Sequence, residues 1–466
     1  MKDPEKLTKS EASSMTRRSF LGTATAAASG LMIVPRHVLG ADQKSGRKAP
    51  SDTLNIGCVG VMGKGFSDIQ SVSGENVVAL CDVDDELMAR FLGSDRHEPR
   101  RKAMYDKARK YRDFRIMLER EKGLDAVVVS TPDHTHAVIA MAAINLGKHV
   151  FVQKPLTRTI KESRLLAEAA KKTGVVTQMG NQGHAKEGAR LICEWIWDGA
   201  IGDVREVHTW TNRPIWPQGV EAPKEIPSCP ATLDWDLWLG PAPFRPYHPA
   251  YHPFSWRGLW DFGTGALGDM GAHIIDHPFR ALKLGHPVTV QASSTKFTKD
   301  YAPVAEIVTY EFPEREGLVP VKLIWYDGGL MPPRPPELEP GRMMGDDGGG
   351  VLFRGDKGLL MCSTYGENPR LVPETAMREY KRPEKTIPRS PGIAEEWIEA
   401  IKAGEKSTTD FSYSGPLTEV MLLANAAVRV QDRNTVLQWD GEKMEFTNVP
   451  EANEFLHAPY RPGWSL

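Results

Sequence analysis

The tightest constraint on the fold lies between residues 54 and 82. Leu54-Asn-Ile-Gly-Cys-Val59 is a short apolar run ending in Gly60-Val-Met-Gly63-Lys-Gly65. A helix-forming stretch follows, and Asn76-Val-Val-Ala-Leu-Cys81 closes on Asp82. Strand, glycine-rich turn, helix and strand in that order predict a βαβ unit opening a doubly wound parallel sheet. Glycines in such a turn let the backbone approach a pyrophosphate at a helix N-terminus, and an acid ending the second strand accepts hydrogen bonds from a ribose diol. The pattern points to a dinucleotide contacted at Gly60, Met62, Gly63, Gly65 and Asp82, with Asp84 as a second acidic contact. Met62 takes the place of the fingerprint's middle glycine. The turn is therefore expected to be reshaped around Gly63, with binding weakened. A carboxylate at 82 repels the 2′-phosphate of NADP, so NAD is the expected cofactor and NADP is disfavoured.

The alternation continues through Asp125-Ala-Val-Val-Val-Ser-Thr131-Pro-Asp-His-Thr-His136. Its β-branched run suits a central parallel strand covered on both faces, and ligands bind beyond the carboxyl ends of such strands. Thr131, Pro132 and His136 are thus expected near a nicotinamide, although His136 is equally suited to capping or packing. The strand Lys148-His-Val-Phe-Val152 delivers Gln153-Lys154-Pro155, where Pro155 ends the ladder and sets Lys154 at the sheet edge. A surface lysine is the other reading. Further on, Gly263-Thr-Gly-Ala-Leu-Gly-Asp-Met-Gly-Ala-His-Ile-Ile-Asp276 places Asp269, His273 and Asp276 at i, i+4 and i+7, one polar helix face among large apolar residues. A carboxylate one turn from an imidazole can hold its tautomer and raise its pKa, as a general acid/base requires. An ordinary structural Asp–His pair fits this stretch alone just as well.

Together these motifs resemble the Gfo/Idh/MocA family of dinucleotide-dependent oxidoreductases, from about residue 54 to 440. The resemblance implies an α/β protein with an N-terminal Rossmann domain and a C-terminal α/β domain built on a large open, mostly antiparallel sheet. It maps the family's catalytic lysine onto Lys154 and its aspartate and histidine onto Asp269 and His273, and it matches Thr131 to His136. Gln153 replaces the family's glutamate, which removes a charge beside Lys154. Asn181 and His184, in Met179-Gly-Asn-Gln-Gly-His184, are implied to line the substrate pocket. The expected activity is hydride transfer to or from a sugar hydroxyl or keto group. His273 would take the proton, Asp269 would orient His273, and Lys154 would hold the reacting oxygen. Two other classes stand beside it: an NAD-dependent glycosidase that oxidises its substrate transiently with no net redox change, and a dinucleotide-holding binding protein without turnover.

Residues 214–262 form a long Pro/Trp/His-rich loop, where Trp216 offers a face for a sugar ring and Arg213 and Arg257 offer forked donors. Strands are expected at 206–213, 288–297, 304–312, 319–326 and 351–361, a flexible lid at 328–350, and packing helices at 394–403 and 416–430. The mature fold divides into a dinucleotide-binding domain at 53–154 and a substrate-binding and oligomerisation domain at 155–466. Its open sheet face is expected to be buried in a homodimer or tetramer. A net charge of -2 leaves no general pull toward nucleic acid, and five cysteines without paired spacing show neither a zinc site nor a disulfide framework, so no metal is expected.

The first forty residues read as an address. Thr16-Arg-Arg-Ser-Phe-Leu21 is a twin-arginine signature, followed by a weakly apolar run too short to span a bilayer and by small residues before Ala41. Residues 1–40 are thus expected to be a cleaved signal for export to the periplasm, residues 41–52 a polar linker, and no membrane span to remain. Replacing Arg17 and Arg18 with lysine should leave the uncleaved precursor in the cytoplasm, as judged by fractionation and immunoblotting. Normal processing of that variant would show the signal to be misread.

Overall fold

The computed structural model describes residues 52–466, so the twin-arginine segment and nearly all of the linker lie outside the described residues. Two sheets organise the rest. The first holds β1 (Asn55–Val59), β2 (Asn76–Cys81), β3 (Arg109–Tyr111), β4 (Ala126–Val129), β5 (His149–Val152) and β6 (Thr177–Met179) in the order β3-β2-β1-β4-β5-β6, all parallel. Strand order reverses between β1 and β4, the switch point where such sheets bind ligands. Every residue of β4 is buried, as its continuous β-branched run requires.

This sheet does not stop at the 154 boundary. The helix Ile160–Thr173 is a right-length crossover, closed by a capping box at Thr159 and Glu162, and it returns the chain as β6 beside β5. The sheet's second face carries Ile56, Cys58, Val128 and Phe151. It is covered by the helix Lys64–Ser71 and, from near the other end of the chain, by Ile393–Ala403. Trp397 of that helix is fully buried, its ring 5.7 Å from Phe151. Leu54–Leu466 accordingly forms one compact unit rather than two loosely joined lobes.

The second sheet contains β7 (Val204–Thr211), β8 (Thr289–Ser294), β9 (Glu306–Phe312), β10 (Val321–Tyr326), β11 (Gly349–Gly355), β12 (Leu359–Ser363), β13 (Arg370–Val372), β14 (Leu437–Asp440) and β15 (Glu445–Phe446). Its order is β13-β12-β11-β7-β10-β9-β8-β14-β15, antiparallel throughout except between β7 and β10. The expected strand 351–361 is two strands, because the chain turns back at Asp356–Gly358, where Gly355 N–H donates to Gly358 O. The helix expected from Pro416 begins earlier, at Phe411, since the Asp410 side chain caps it by accepting the Tyr413 N–H.

Alternation assigns the faces. Val207, Leu323, Trp325, Val351 and Phe353 point to the common core beneath the helices, whereas Trp210, Leu352 and Met361 point outward. Those outward residues are buried within this chain. The loop at 328–350 lays Leu338 and Met344 over them, so it packs as a cover rather than hanging free as a lid.

The glycine-rich turn is held by close approach. Gly60 has φ +83°, and a Cβ on Gly65 would lie 2.1 Å from the Gly60 carbonyl oxygen, inside contact distance. Gly63 also has positive φ, yet a Cβ there would meet nothing within 4 Å. Gly65→Ala must push helix and strand apart and should cost ~1–3 kcal/mol of stability, as overpacking does. Gly63→Ala meets no neighbour but strains a backbone conformation that side chains rarely adopt, at roughly 1–3 kcal/mol. Denaturant melts should show both variants destabilised, and an undisturbed Gly65→Ala melt would contradict this packing.

Candidate active site

The dinucleotide end is built from β1, β2 and the helix between them. Gly63 stands at the N-terminus of Lys64–Ser71, which has no side-chain cap; in its first turn Gly65 N–H donates to Met62 O at 3.1 Å, and no side chain competes with a ligand for the other N–H groups. Gly63 and Lys64 are exposed, Met62 is half-buried against the core, and Gly65 is buried. The Asp82 carboxylate accepts the N–H groups of Val61 (2.9 Å) and Asp84 (3.1 Å) and remains partly open. Burial raises its pKa to about 6 against the pull of those donors. Asp84 is already engaged, capping Asp85–Leu92 through Glu86 N–H and meeting His252 Nε2 at 3.0 Å. An uncapped helix start, an open glycine turn and a half-free carboxylate fit a pyrophosphate and a ribose diol.

At the carboxyl ends of β4 and β5 the sequence-derived residues separate into two roles. Thr131 and Pro132 are half-open, and the Thr131 hydroxyl accepts from Thr135 Oγ1 at 2.8 Å. His136 does not face outward. It is 1% exposed, with Nδ1 at 2.9 Å from the Pro155 carbonyl and Nε2 at 2.8 Å from the Thr131 carbonyl, and burial holds its pKa down to about 4. It brackets the two strand ends, so neither nitrogen is free for a cofactor.

That bracket sets Lys154. Its Nζ donates to the Asp269 carbonyl (2.7 Å) and to Asp269 Oδ1 (3.0 Å), and Arg257 Nε lies 3.4 Å from the same oxygen. Burial would raise the Asp269 pKa, but Lys154 and Arg257 outweigh it and hold the carboxyl below its ordinary value. The expectation that Asp269 orients His273 is therefore corrected: Lys154 and Arg257 share its Oδ1, and among the described residues no hydrogen bond joins it to His273. His273 is 2% exposed, and its Nδ1 is buried without a partner. Burial, then the Lys154 charge, drives its pKa well below the usual histidine value, so the ring is neutral at neutral pH.

The imidazole that a carboxylate does orient is His184. Its Nδ1 lies 3.0 and 3.1 Å from the Asp276 oxygens, and Asp276 also accepts from Tyr413 Oη at 2.6 Å. Asp276 is thus paired with His184 and Tyr413 rather than with His273. Asn181, fully buried beside this group on the loop after β6, has neither amide atom satisfied. Such atoms are costly to bury unless a ligand or water meets them.

Arg257 stacks on Trp256 (4.4 Å) and Phe254 (4.5 Å), with Trp216 at 5.9 Å. Trp216 is buried, its indole N–H donating to Gln218 Oε1 at 2.8 Å, so it supports Arg257 rather than presenting an open face. Arg213 is half-exposed and bonded to Asn212.

Two residues were not found from sequence. Tyr365, after β12, sits edge-on to His273 at 4.9 Å, within electrostatic reach of Asp269 and Arg213. Asp133 is buried, accepts the Thr264 hydroxyl at 2.8 Å, and has its pKa raised by burial to about 7. No local spacing marks Tyr365. Asp133 was readable only as an acid one residue past Pro132.

Comparison with known proteins agrees with this architecture. The sequence model for the oxidoreductase family with an NAD-binding Rossmann fold, GFO_IDH_MocA, matches residues 54–181, and that for the family's C-terminal alpha/beta domain matches 204–317. Levoglucosan dehydrogenase of Pseudarthrobacter phenanthrenivorans is 29% identical over 35% of this chain and 34% of its own length. A glycosyl hydrolase family 109 protein of Shewanella baltica is 27% identical over 40% of this chain and 44% of its own. The matched stretch thus spans under half of each of these relatives. Among solved structures, levoglucosan dehydrogenase in complex with NADH and levoglucosan superposes with a TM-score of 0.55 at 18% identity, covering 83% of this chain and 99% of the other. The aldose-aldose oxidoreductase from Caulobacter crescentus gives 0.56 at 15% identity, covering 83% and 100%. With both family models matched in order, and together covering more than half its length, this chain belongs to the Gfo/Idh/MocA oxidoreductase family.

Proposed function

We propose that this protein transfers hydride between NAD and a hydroxyl-bearing carbon of a small carbohydrate. The observation that carries this reading is a lysine and a neutral, unpartnered imidazole gathered at the carboxyl edge of the dinucleotide-binding sheet. When bound, NAD supplies the hydride acceptor. On oxidation, His273 takes the substrate's hydroxyl proton, and its depressed pKa keeps it in the basic form. Lys154, held in place by Asp269, donates a hydrogen bond to the oxygen as it becomes a carbonyl. Asn181 offers one donor and one acceptor to further hydroxyl groups, and the stacked Arg257 adds a fork. Family relatives named as sugar or inositol dehydrogenases support a carbohydrate.

A second reading has its own support. Redox-neutral glycoside cleavage needs more than one proton-transfer group, and His184 with Asp276 is an oriented imidazole–carboxylate pair in addition to His273. Relatives named as glycosyl hydrolases point the same way. Export through the twin-arginine route, with the cofactor loaded beforehand, is compatible with both readings, as is assembly into a homo-oligomer. Among the described residues no helix is long and apolar enough to cross a membrane.

Mixing NAD-loaded protein with a panel of sugars and glycosides separates them. Net oxidation should leave reduced nicotinamide and a keto-sugar in a single turnover, whereas cleavage should release the aglycone with no lasting reduction. In either case Lys154→Ala and His273→Ala should each lose about a hundredfold or more in rate, the usual yield of positioned acid/base groups. As pH falls through 6.5 His273 should stay basic, so any loss of rate in that window should follow Asp133 and Asp82, with pKa values of about 7 and about 6, and should shift in Asp133→Asn or Asp82→Asn. Full activity in both Lys154→Ala and His273→Ala would remove these residues from the chemistry.

Asp82 gives an independent check. NAD should bind more tightly than NADP, and Asp82→Ala should narrow the gap in calorimetry. Equal affinities in the parent protein would refute the role given to Asp82.

A further inference from the structure

Arginines packed inside this chain spend their donors. Arg315 gives hydrogen bonds to the carbonyls of Leu282, Pro313 and Val319, and Arg190 to those of Pro388 and His184 and to the Glu396 carboxylate. Arg429, the last residue of the helix Phe411–Arg429, behaves differently. Its guanidinium lies 4.2 Å from the Trp260 ring and 4.7 Å from the Phe455 ring, yet among the described residues it has no hydrogen bond and no ion pair. Burial, and then the charge of Arg158, lowers its pKa to about 10.

Arg158 is itself short of partners. Its Nη1 donates to the Trp260 carbonyl at 3.0 Å, but its Nε is buried with none. The acids that could neutralise the pair are engaged elsewhere: Asp261 holds Arg245 at 2.7 Å, and Glu162 accepts from the Tyr460 hydroxyl and from the N–H groups of Arg158 and Thr159. Two neighbouring guanidinium groups with no acid bonded to either are costly to keep out of water.

Arg429 also walls a cavity of about 690 Å³, a volume within the range of small-molecule sites. Gln291 and Ser293 of β8, Thr435 and the half-buried Phe297 line the same space. Among the described residues the side chains of Gln291, Ser293 and Thr435 make no hydrogen bond, so they are free for a ligand's hydroxyl groups. Asp432 stands exposed on the lining and makes no ion pair with Arg429. Lys154, Asn181, Asp269 and His273 do not line this cavity.

We propose that the cavity is a second small-molecule site, apart from the hydride-transfer centre, which takes a carbohydrate bearing a carboxylate or phosphate group. Arg429 binds the acidic group with forked donors that no residue of the chain uses, and the rings of Trp260 and Phe455 hold the fork in place. Arg158 adds a second positive charge. A neutral sugar lacks the partner that these two groups call for, so charge decides what enters.

Isothermal titration calorimetry on the whole protein, with glucuronate, glucose-6-phosphate and glucose as probes, tests this. At least one of the acids should bind, showing whether carboxylate or phosphate is preferred, and glucose should bind about tenfold or more weakly, since hydrogen bonds to charged groups are the strong ones. Arg429→Gln should weaken the acid by about tenfold or more on the same grounds, whereas Lys154→Ala should leave its affinity unchanged. No binding of either acid, equal binding of glucose, an unchanged affinity in Arg429→Gln or a loss in Lys154→Ala would overturn the site. Should Arg429→Gln not fold, phenylglyoxal labelling of the parent protein decides. The bound acid should protect Arg429 from modification and leave the exposed Arg205 unprotected, and equal labelling of Arg429 with and without the acid would refute the proposal.

Discussion

The contact between Lys154 and Asp269 is the one on which the site depends. Lys154 ends a strand of the parallel sheet and Asp269 sits on a helix packed under the other sheet, so this pair fixes one half of the chemistry against the other. A buried ion pair is not a reliable source of stability, because desolvation offsets most of the attraction. Its value here is positional. With Arg257 sharing the carboxylate, Asp269 stays ionised and keeps the lysine from wandering, while His273 is left free of partners and therefore available to a substrate.

Much of this was legible in the sequence, for a physical reason. The βαβ unit combines short continuous apolar runs, glycines at fixed places and a terminal acid, and each is required by local geometry or burial. Lys154 before Pro155, and Asp269 four residues before His273, are likewise local patterns. What could not be read is which partner each polar group takes. Spacing places Asp269 beside His273 on one helix, yet Lys154 arrives from 115 positions away and claims the carboxylate. Asp276 likewise meets His184, separated by 92 positions. Tyr365 had no signal at all, since its place is set by sheet pairing between β11 and β12 and by Asp346, which accepts the Thr364 N–H and hydroxyl.

The outer face of the second sheet carries the same lesson about loops. A proline- and glycine-rich stretch reads as mobile, but Leu338 and Met344 have apolar area to bury, and Trp210, Leu352 and Met361 offer a surface. The loop's glycines permit the path, and its few large side chains decide where it rests. The reading of residues 214–262 rested on the loop's length and on Trp216, Arg213 and Arg257, whereas its hydrogen bonds to the segments after β2 and β4 could not be read from spacing.

The helix Ile393–Ala403 has a consequence for how the chain is made. The βαβ unit is made early, but the part of its sheet face that Lys64–Ser71 does not cover stays open until Trp397 has been synthesised, so the dinucleotide domain completes its packing late in translation. Apolar strands Asn55–Val59 and Ala126–Val129 must wait through most of synthesis, a task for holding chaperones. Completion of the first domain then depends on residues made more than 200 positions after its last strand, Thr177–Met179.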